Sequence, residues 1–387
     1  MILRYLTSGE SHGKGLLSIL EGMPAGLDLP EEYINHQLKR RQQGYGRGGR
    51  MEIESDKVEI ISGVRFGITL GSPIGLFIKN KDWENWSTEM SVSPVDAEIQ
   101  KVTLPRPGHA DLAGAVKYRH DDIRNVLERS SARETAARVA VGSAARRLLE
   151  VFNITLASHV TQIGSVKSKT GISEMDINEI IETSDRSPVR CLDNDSEKEM
   201  MKAIDSAKEN GNSIGGVVEV IAQGLPIGLG SHVHWDRKLD GQIAQAMMSI
   251  PAIKGVEIGL GFQTASRLGS EVHDEIYYDD KLKDTVKNGY YRKTNNAGGI
   301  EGGMTNGESV IIRIAMKPIP TLTIPLNSVD MNTKSTQKAH KERSDCCAVP
   351  AAGLVAESML ALVLANAFLE KYGNDSIDEI KERRHGR

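Results

Sequence analysis

Two short segments place a histidine where proton transfer is feasible. Gly9-Glu10-Ser11-His12-Gly13 and Arg106-Pro107-Gly108-His109-Ala110-Asp111 each set one imidazole in a stretch too rich in Gly and Pro to be mid-helix. Imidazole changes charge near neutral pH, which makes it the usual side chain for moving protons there. A solitary histidine is more often a surface or core residue than a proton carrier. Two such loops, with arginines clustered nearby in sequence, point instead to acid–base chemistry on an anionic substrate.

The arginines form their own pattern. No acid lies between Glu32 and Glu52, while Lys39, Arg40, Arg41, Arg47 and Arg50 do. A basic run is often only a solvated face. Here it is interleaved with glycines at 44, 46, 48 and 49, which let backbone approach a ligand closely, and guanidinium forks match carboxylates and phosphates. Gly44 to Gly49 formally fits GxGxxG, but a helical pattern precedes it and none follows, so a dinucleotide fold is rejected. No GxxxxGK[ST] occurs. Arg129-Ser130-Ser131-Ala132-Arg133-Glu134 reads as a helix start, with Ser131 and Glu134 spaced as a capping box. Cations at that end oppose the helix dipole, so Arg129 and Arg133 fit better beside a bound anion.

Three weaker signals follow. Lys317-Pro318-Ile319-Pro320-Thr321 is a stiff segment whose lysine could meet a phosphate. Arg343-Ser344-Asp345 is usually a surface pair, although beside a flat ligand its Asp could relay a proton. His232 and His234 alternate on one strand face, but no third ligand accompanies them, and no metal site is expected.

The elements that must position these groups are mixed. Strands are expected at 2–7, 16–21, 58–61, 74–78, 217–221 and 309–314, and helices from Leu29 to Arg41, from Ser131, and from Ala351 to Lys371 with Gly373 as cap. Residues 174–210 read as a polar helical insert. Gly224-Leu-Pro-Ile-Gly228 echoes Gly71-Ser-Pro-Ile-Gly75, a hint of internal duplication. The regular strand–helix–strand beat of a doubly wound sheet is missing. The expectation is one α+β domain over 1–373 and a polar tail, 374–387, that frays.

At 387 residues and net charge −4, the chain carries no global nucleic-acid or membrane signature. Its three cysteines, Cys191, Cys346 and Cys347, form neither a disulfide framework nor a CxxC pair. The N-terminus lacks the apolar run of a signal peptide, and the apolar stretch 354–364 contains Glu357 and is short of a membrane span. A cytoplasmic enzyme is expected.

Five motifs in order then carry a resemblance. GESHG with EGMPAG, RPGHAD, LERSSARETAARVAVG, GGMTNG with MKPIPT, and ERSDCCAVPAAGLVAESML are similar to the signatures of the chorismate synthases, over essentially the whole chain. The resemblance implies two antiparallel sheets sandwiching helices, a homotetramer, and reduced FMN as cofactor. It implies 1,4-anti elimination of phosphate from 5-enolpyruvylshikimate 3-phosphate. On this reading His12 protonates the departing phosphate, His109 serves the flavin near N1 and Asp345 near N5. Ser11, Arg41, Arg47, Arg106 and Arg133 hold substrate. Arg129, Ser130, Ser131, Ala252, Gly302, Lys317, Pro318, Ile319, Pro320, Thr321 and Arg343 meet the flavin. Pro251 stands where the family is expected to have asparagine, which puts a side-chain contact there in doubt. Two rival readings remain. One is a flavin-dependent oxidoreductase consuming NADPH, with Arg41 and Arg47 on the dinucleotide phosphate. The other is a nucleic-acid-binding protein using residues 39–50, disfavoured by the charge and the lack of interleaved aromatics.

Overall fold

The computed structural model describes residues 2–48, 55–171, 175–342 and 344–385. Strands β1 (Arg4–Ser8) and β2 (Gly15–Glu21) pair antiparallel across the loop that carries His12. Helix α1 (Glu31–Gln42) opens behind Pro30 with two acids and closes on Lys39, Arg40 and Arg41, so both ends suit the helix dipole. Strand β3 (Val58–Ser62), the small hairpin β4 (Val64–Arg65) and β5 (Ile68–Thr69), and β6 (Ile74–Lys79) follow. The first sheet runs β1-β2-β6-β3, all antiparallel. Two short helices, α2 (Asp111–Tyr118) and α3 (Arg124–Leu127), precede α4 (Thr135–Val151).

The second half opens with β7 (Thr155–Ile163) and β8 (Val166–Lys167), then α5 (Ile177–Arg186) and α6 (Asn194–Glu209). After them come β9 (Gly216–Gln223), α7 (Leu239–Met248) and β10 (Ile253–Ile258). Three hairpin pairs complete this half: β11 (Ile276–Tyr278) with β12 (Tyr290–Arg292), β13 (Ile300–Glu301) with β14 (Met304–Thr305), and, beyond β15 (Val310–Met316), β16 (Asn327–Val329) with β17 (Thr336–Lys338). The second sheet runs β10-β15-β9-β7-β8. The chain ends in α8 (Val349–Tyr372) and α9 (Ile377–His385).

Helices α1, α4, α7 and α8 fill the space between the sheets and share one apolar core. The architecture is therefore the expected α+β sandwich. Gly142 lets α4 lie against α8: a Cβ there would stand 2.7 Å from the Ser358 carbonyl oxygen. Helix α8 is long and apolar enough to cross a membrane by length and composition, but 94% of its most apolar window is buried inside the fold. It is the central core helix. Its Glu357 is buried against Arg40, Arg146 and Ser158, with Arg190 3.6 Å away.

Two expectations need correction. The polar tail is helical over its described residues: α9 buries Ile377 and Ile380, Ser376 bridges Ala25, and Arg384 donates to the Phe152 carbonyl. Its two isoleucines lie on one face, and that spacing outweighs the overall polarity. The capping box forms by half. Ser131 accepts from the Arg133 amide, but Glu134 reaches forward to Arg138 at 2.9 Å, because a 3-10 turn over 132–134 intervenes before α4.

The duplication is present in a different register from the expected echo. Gly224–Gly228 matches Gly22–Gly26, not 71–75. Thr69 Oγ1 accepts from the Leu27 amide and donates to the Pro24 carbonyl; Thr305 Oγ1 does the same for Leu229 and Pro226. Gly26 and Gly228 both take positive φ, 87° and 83°. The strand order β1-β2-β6-β3 is repeated as β7-β9-β15-β10.

Candidate active site

The first cluster gathers at the start of α4. The β1–β2 loop is held there by Asn80, a fully buried residue at the end of β6. Its amide nitrogen donates to the carbonyls of Glu10, Ser11 and Gly13, and its Oδ1 accepts from Arg133 Nε. Ser11 Oγ donates to Ser131 Oγ at 3.0 Å. His12 Nδ1 lies 2.9 and 3.0 Å from the two carboxylate oxygens of Glu128, which also accepts the His12 backbone amide. The His12 ring packs on Trp86 with centroids 4.1 Å apart. Burial pushes the Glu128 carboxyl up, but the His12 bonds and Arg124 outweigh it and hold the group below its ordinary value.

Beside this loop three guanidinium groups share two carboxylates. Asp56 pairs with both Arg41 and Arg133, and Arg47 Nη1 lies 2.9 Å from Asp345. Asp345 also accepts the Gly48 amide at 2.6 Å, so the glycine-rich loop closes onto the residues preceding α8. Burial pulls Arg41 down to about 10, helped by Arg47 and Arg133 against the attraction of Asp56. The set keeps an excess of positive charge, and Arg47 Nε is buried with no hydrogen-bond partner among the described residues. Such a set is built to receive an anion. Arg41 itself donates to Thr135 Oγ1 and the Ala132 carbonyl as well as to Asp56, so it backs the cluster from within the protein.

The second cluster is the RPGHAD segment against residues 317–321. His109 Nδ1 lies 2.5 Å from Asp111 Oδ1, and Arg106 holds Asp111 through Nε and Thr321 through Nη1. Burial would push the Asp111 carboxyl up, but the bonds from His109 and Arg106 hold it far below its ordinary value. Arg106 thus has all three of its nitrogens engaged inside the protein. Lys317 Nζ donates to the Gly108 carbonyl, and the Lys317 amide donates to Ala252, a residue at φ 69°. Burial and nearby Lys254 draw the Lys317 ammonium down, and among the described residues no carboxylate pairs with it.

The remaining expected residues lie as follows. Arg129 donates to Thr7 and Gly9, and Ser130 Oγ to the Val126 carbonyl. Gly302 is the open tip of the β13–β14 hairpin, next to the start of α7, whereas Ala252 follows the end of α7. Arg343 and Arg50 lie outside the described residues. His234 pairs with Asp236 on the surface. Asn80, Asp56, Trp86 and Glu128 escaped the sequence reading. Each is a single polar or aromatic residue outside any repeated pattern, and only the three-dimensional closure brings them to the loops. The available signals were Asn80 directly after a strand and Glu128 directly before the RSSARE run.

A family model described as chorismate synthase matches residues 3–369. A protein named chorismate synthase from Pelobacter propionicus is 58% identical over 387 residues, covering 100% of this chain and 98% of its own. Another from Geotalea daltonii is 59% identical over 388 residues, with coverage of 100% and 98%. Chorismate synthase 2 of Bacillus cereus is 57% identical over 385 residues, with 98% and 97%. A solved structure titled "Crystal Structure of Chorismate Synthase" superposes with a TM-score of 0.80 at 46% identity, covering 100% of this chain and 97% of that one.

Proposed function

The chain belongs to the chorismate synthase family, and we propose on that footing that it expels phosphate and one ring hydrogen from 5-enolpyruvylshikimate 3-phosphate, giving chorismate at the end of the shikimate pathway. The observation that carries the reading is the excess of guanidinium over carboxylate among Arg41, Arg47, Arg133, Asp56 and Asp345, set beside His12. A substrate with one phosphate and two carboxylates suits that charge.

The second cluster fits reduced FMN. Lys317, half-buried beside Lys254 and paired with no carboxylate among the described residues, suits a phosphate, and Pro318, Ile319 and Pro320 offer a stiff apolar edge. Arg129, Ser130, Ser131, Ala252, Gly302, Thr321 and Arg343 complete the proposed set. When bound there, a reduced flavin would supply electron density transiently, with no net redox change. His12, its Nδ1 held by Glu128, offers Nε2 to the leaving phosphate, which departs more readily with less negative charge. Arg47 and Arg133 hold the substrate's anionic groups, with Ser11 beside them and Arg41 behind, while Arg106, engaged by Asp111 and Thr321, braces the second cluster instead. His109 keeps a proton available at the flavin edge, and Asp345 steers the departing ring proton. We read the chain as one catalytic unit in a cytoplasmic homotetramer. The exposed Leu6, Leu17 and Ile19 on the outer face of β1 and β2 support subunit contact, and the three free cysteines suit a reducing compartment.

The test is steady-state kinetics under anaerobic conditions with reduced FMN. His12→Ala and His109→Ala should each lower kcat by roughly 10²-fold or more with little change in KM. Arg47→Ala should chiefly raise KM. Wild-type kcat in both histidine variants would remove the proton-transfer assignment, and an unchanged KM would leave Arg47 as a structural partner of Asp345.

A further inference from the structure

The structure assigns Glu128 as a positioning residue whose negative charge keeps His12 ready to donate its proton; this rests on the proposed role of His12. Glu128 grips the GESHG loop at three points. Its backbone carbonyl accepts the Ser11 amide at 3.1 Å, its Oε2 accepts the His12 amide at 2.8 Å, and its carboxylate faces His12 Nδ1. An ionised carboxylate only accepts, so Nδ1 must carry the hydrogen, and Nε2 is the ring nitrogen left for substrate. The opposite arrangement would set a lone pair against the carboxylate.

The carboxylate is itself anchored. Arg124 Nη1 lies 3.0 Å from Glu128 Oε1, and Arg124 Nη2 lies 3.6 Å from Glu342, which pairs with His340 at 2.8 Å. The Arg124 guanidinium also covers Trp86, 4.9 Å from the ring centroid, and Trp86 packs on His12. Glu128 is thus in direct contact with His12, with Arg124 and then Glu342 behind it. Arg124 fixes Glu128, Arg124 and an Nε1–H bond to Asp82 fix Trp86, and each of the two turns one face to the imidazole. The same arrangement recurs independently at the second histidine, where Asp111 faces His109 Nδ1 and Arg106 anchors Asp111. Two imidazoles, one in each cluster and each with Nδ1 against a buried carboxylate braced by arginine, indicate a device for protonation rather than a packing accident. An imidazolium loses charge when it donates, and a fixed carboxylate behind it favours its return to the charged form.

Glu128→Gln is the direct test, because the amide oxygen can still accept from the His12 amide and from Nδ1 while the charge is gone. The variant, wild type, Glu128→Asp and His12→Ala are compared in the anaerobic assay, with flavin binding and thermal unfolding measured in parallel. The expected result is a roughly 10- to 100-fold fall in kcat for Glu128→Gln. KM and flavin binding should stay near wild type, and Glu128→Asp, which keeps the charge but shortens the reach, should retain more turnover than Gln. Wild-type kcat in Glu128→Gln, or equal damage in the Asp and Gln variants, overturns the assignment. If the Gln variant does not fold, Glu128→Asp decides: because it keeps the charge, a kcat within about tenfold of wild type at unchanged KM supports the proposal, and a kcat as low as that of His12→Ala overturns it. Full turnover in His12→Ala would instead overturn the role of His12, which is a separate failure.

Discussion

Asn80 does more for the site than any residue picked out by motif. One carboxamide joins three loop carbonyls to Arg133, so the histidine loop and the arginine cluster share a support. Asn80→Ala leaves those carbonyls and one guanidinium nitrogen short of partners inside the protein. The expected cost is about 2–4 kcal/mol in denaturant unfolding, with a fall in kcat larger than the change in flavin affinity. A variant with unaltered unfolding midpoint and turnover would show that the loop holds itself. At this scale the sequence pointed to the groups proposed to do chemistry, because His12, His109 and the arginines stand in unusual Gly- and Pro-rich settings. It did not reveal their supports. Asn80, Asp56 and Glu128 are ordinary residues locally, and their importance arises from contacts over 53, 77 and 116 positions.

Among the elements, α8 shows how a charged residue belongs in an apolar helix. Glu357 ties α8 to α1 through Arg40, to α4 through Arg146 and lies within 3.6 Å of Arg190; Arg40 and Arg190 also pair with Asp185 on α5. Removing the carboxylate strands buried guanidinium groups, so Glu357→Ala should lose about 3–5 kcal/mol of stability. The pH dependence has a definite sign. Burial pushes the Glu357 and Asp185 carboxyls up, but the surrounding guanidinium charges outweigh it, leaving both below their ordinary 4.5 and 3.8. Groups with lowered folded values contribute fully above the unfolded pKa and lose that contribution as pH falls through the folded one. Unfolding midpoints should therefore drop on acidification below about 4.5, and less steeply in Glu357→Gln. An equal slope in both proteins would show that other carboxylates govern the acid response. Long elements such as α1, α4 and α8 were legible from periodicity and caps. Helices α2 and α3 were not, since eight and four residues give too little period, and α9 hid its two buried isoleucines in a polar segment.

Over the whole molecule, two matched halves close around shared helices, and the threonine clasps mark the match. Thr69→Ala and Thr305→Ala each delete a hydroxyl that joins a buried amide to a carbonyl. Each should destabilise the fold by about 1–3 kcal/mol, and similar values from denaturant titration would agree with equivalent places in the two halves. A large loss at one threonine and none at the other would break the equivalence. The repeat was audible in Gly224–Gly228, but sequence alone paired it with 71–75, because five residues cannot fix a register that strand order fixes at once. On the proposed reading, function at this scale depends on both clusters acting together, substrate anions at Arg47 and Arg133 and a reduced flavin at Lys317. The most direct measurement is release of phosphate and chorismate from 5-enolpyruvylshikimate 3-phosphate by the purified chain under anaerobic conditions. FMN is reduced with dithionite in one arm and supplied oxidised, with or without NADPH, in the other. We predict equal amounts of both products with reduced FMN and none with oxidised FMN alone, and turnover with NADPH would add flavin reduction to the chain's own activities. No product with reduced flavin demonstrably bound, or full turnover with oxidised flavin alone, would contradict the account.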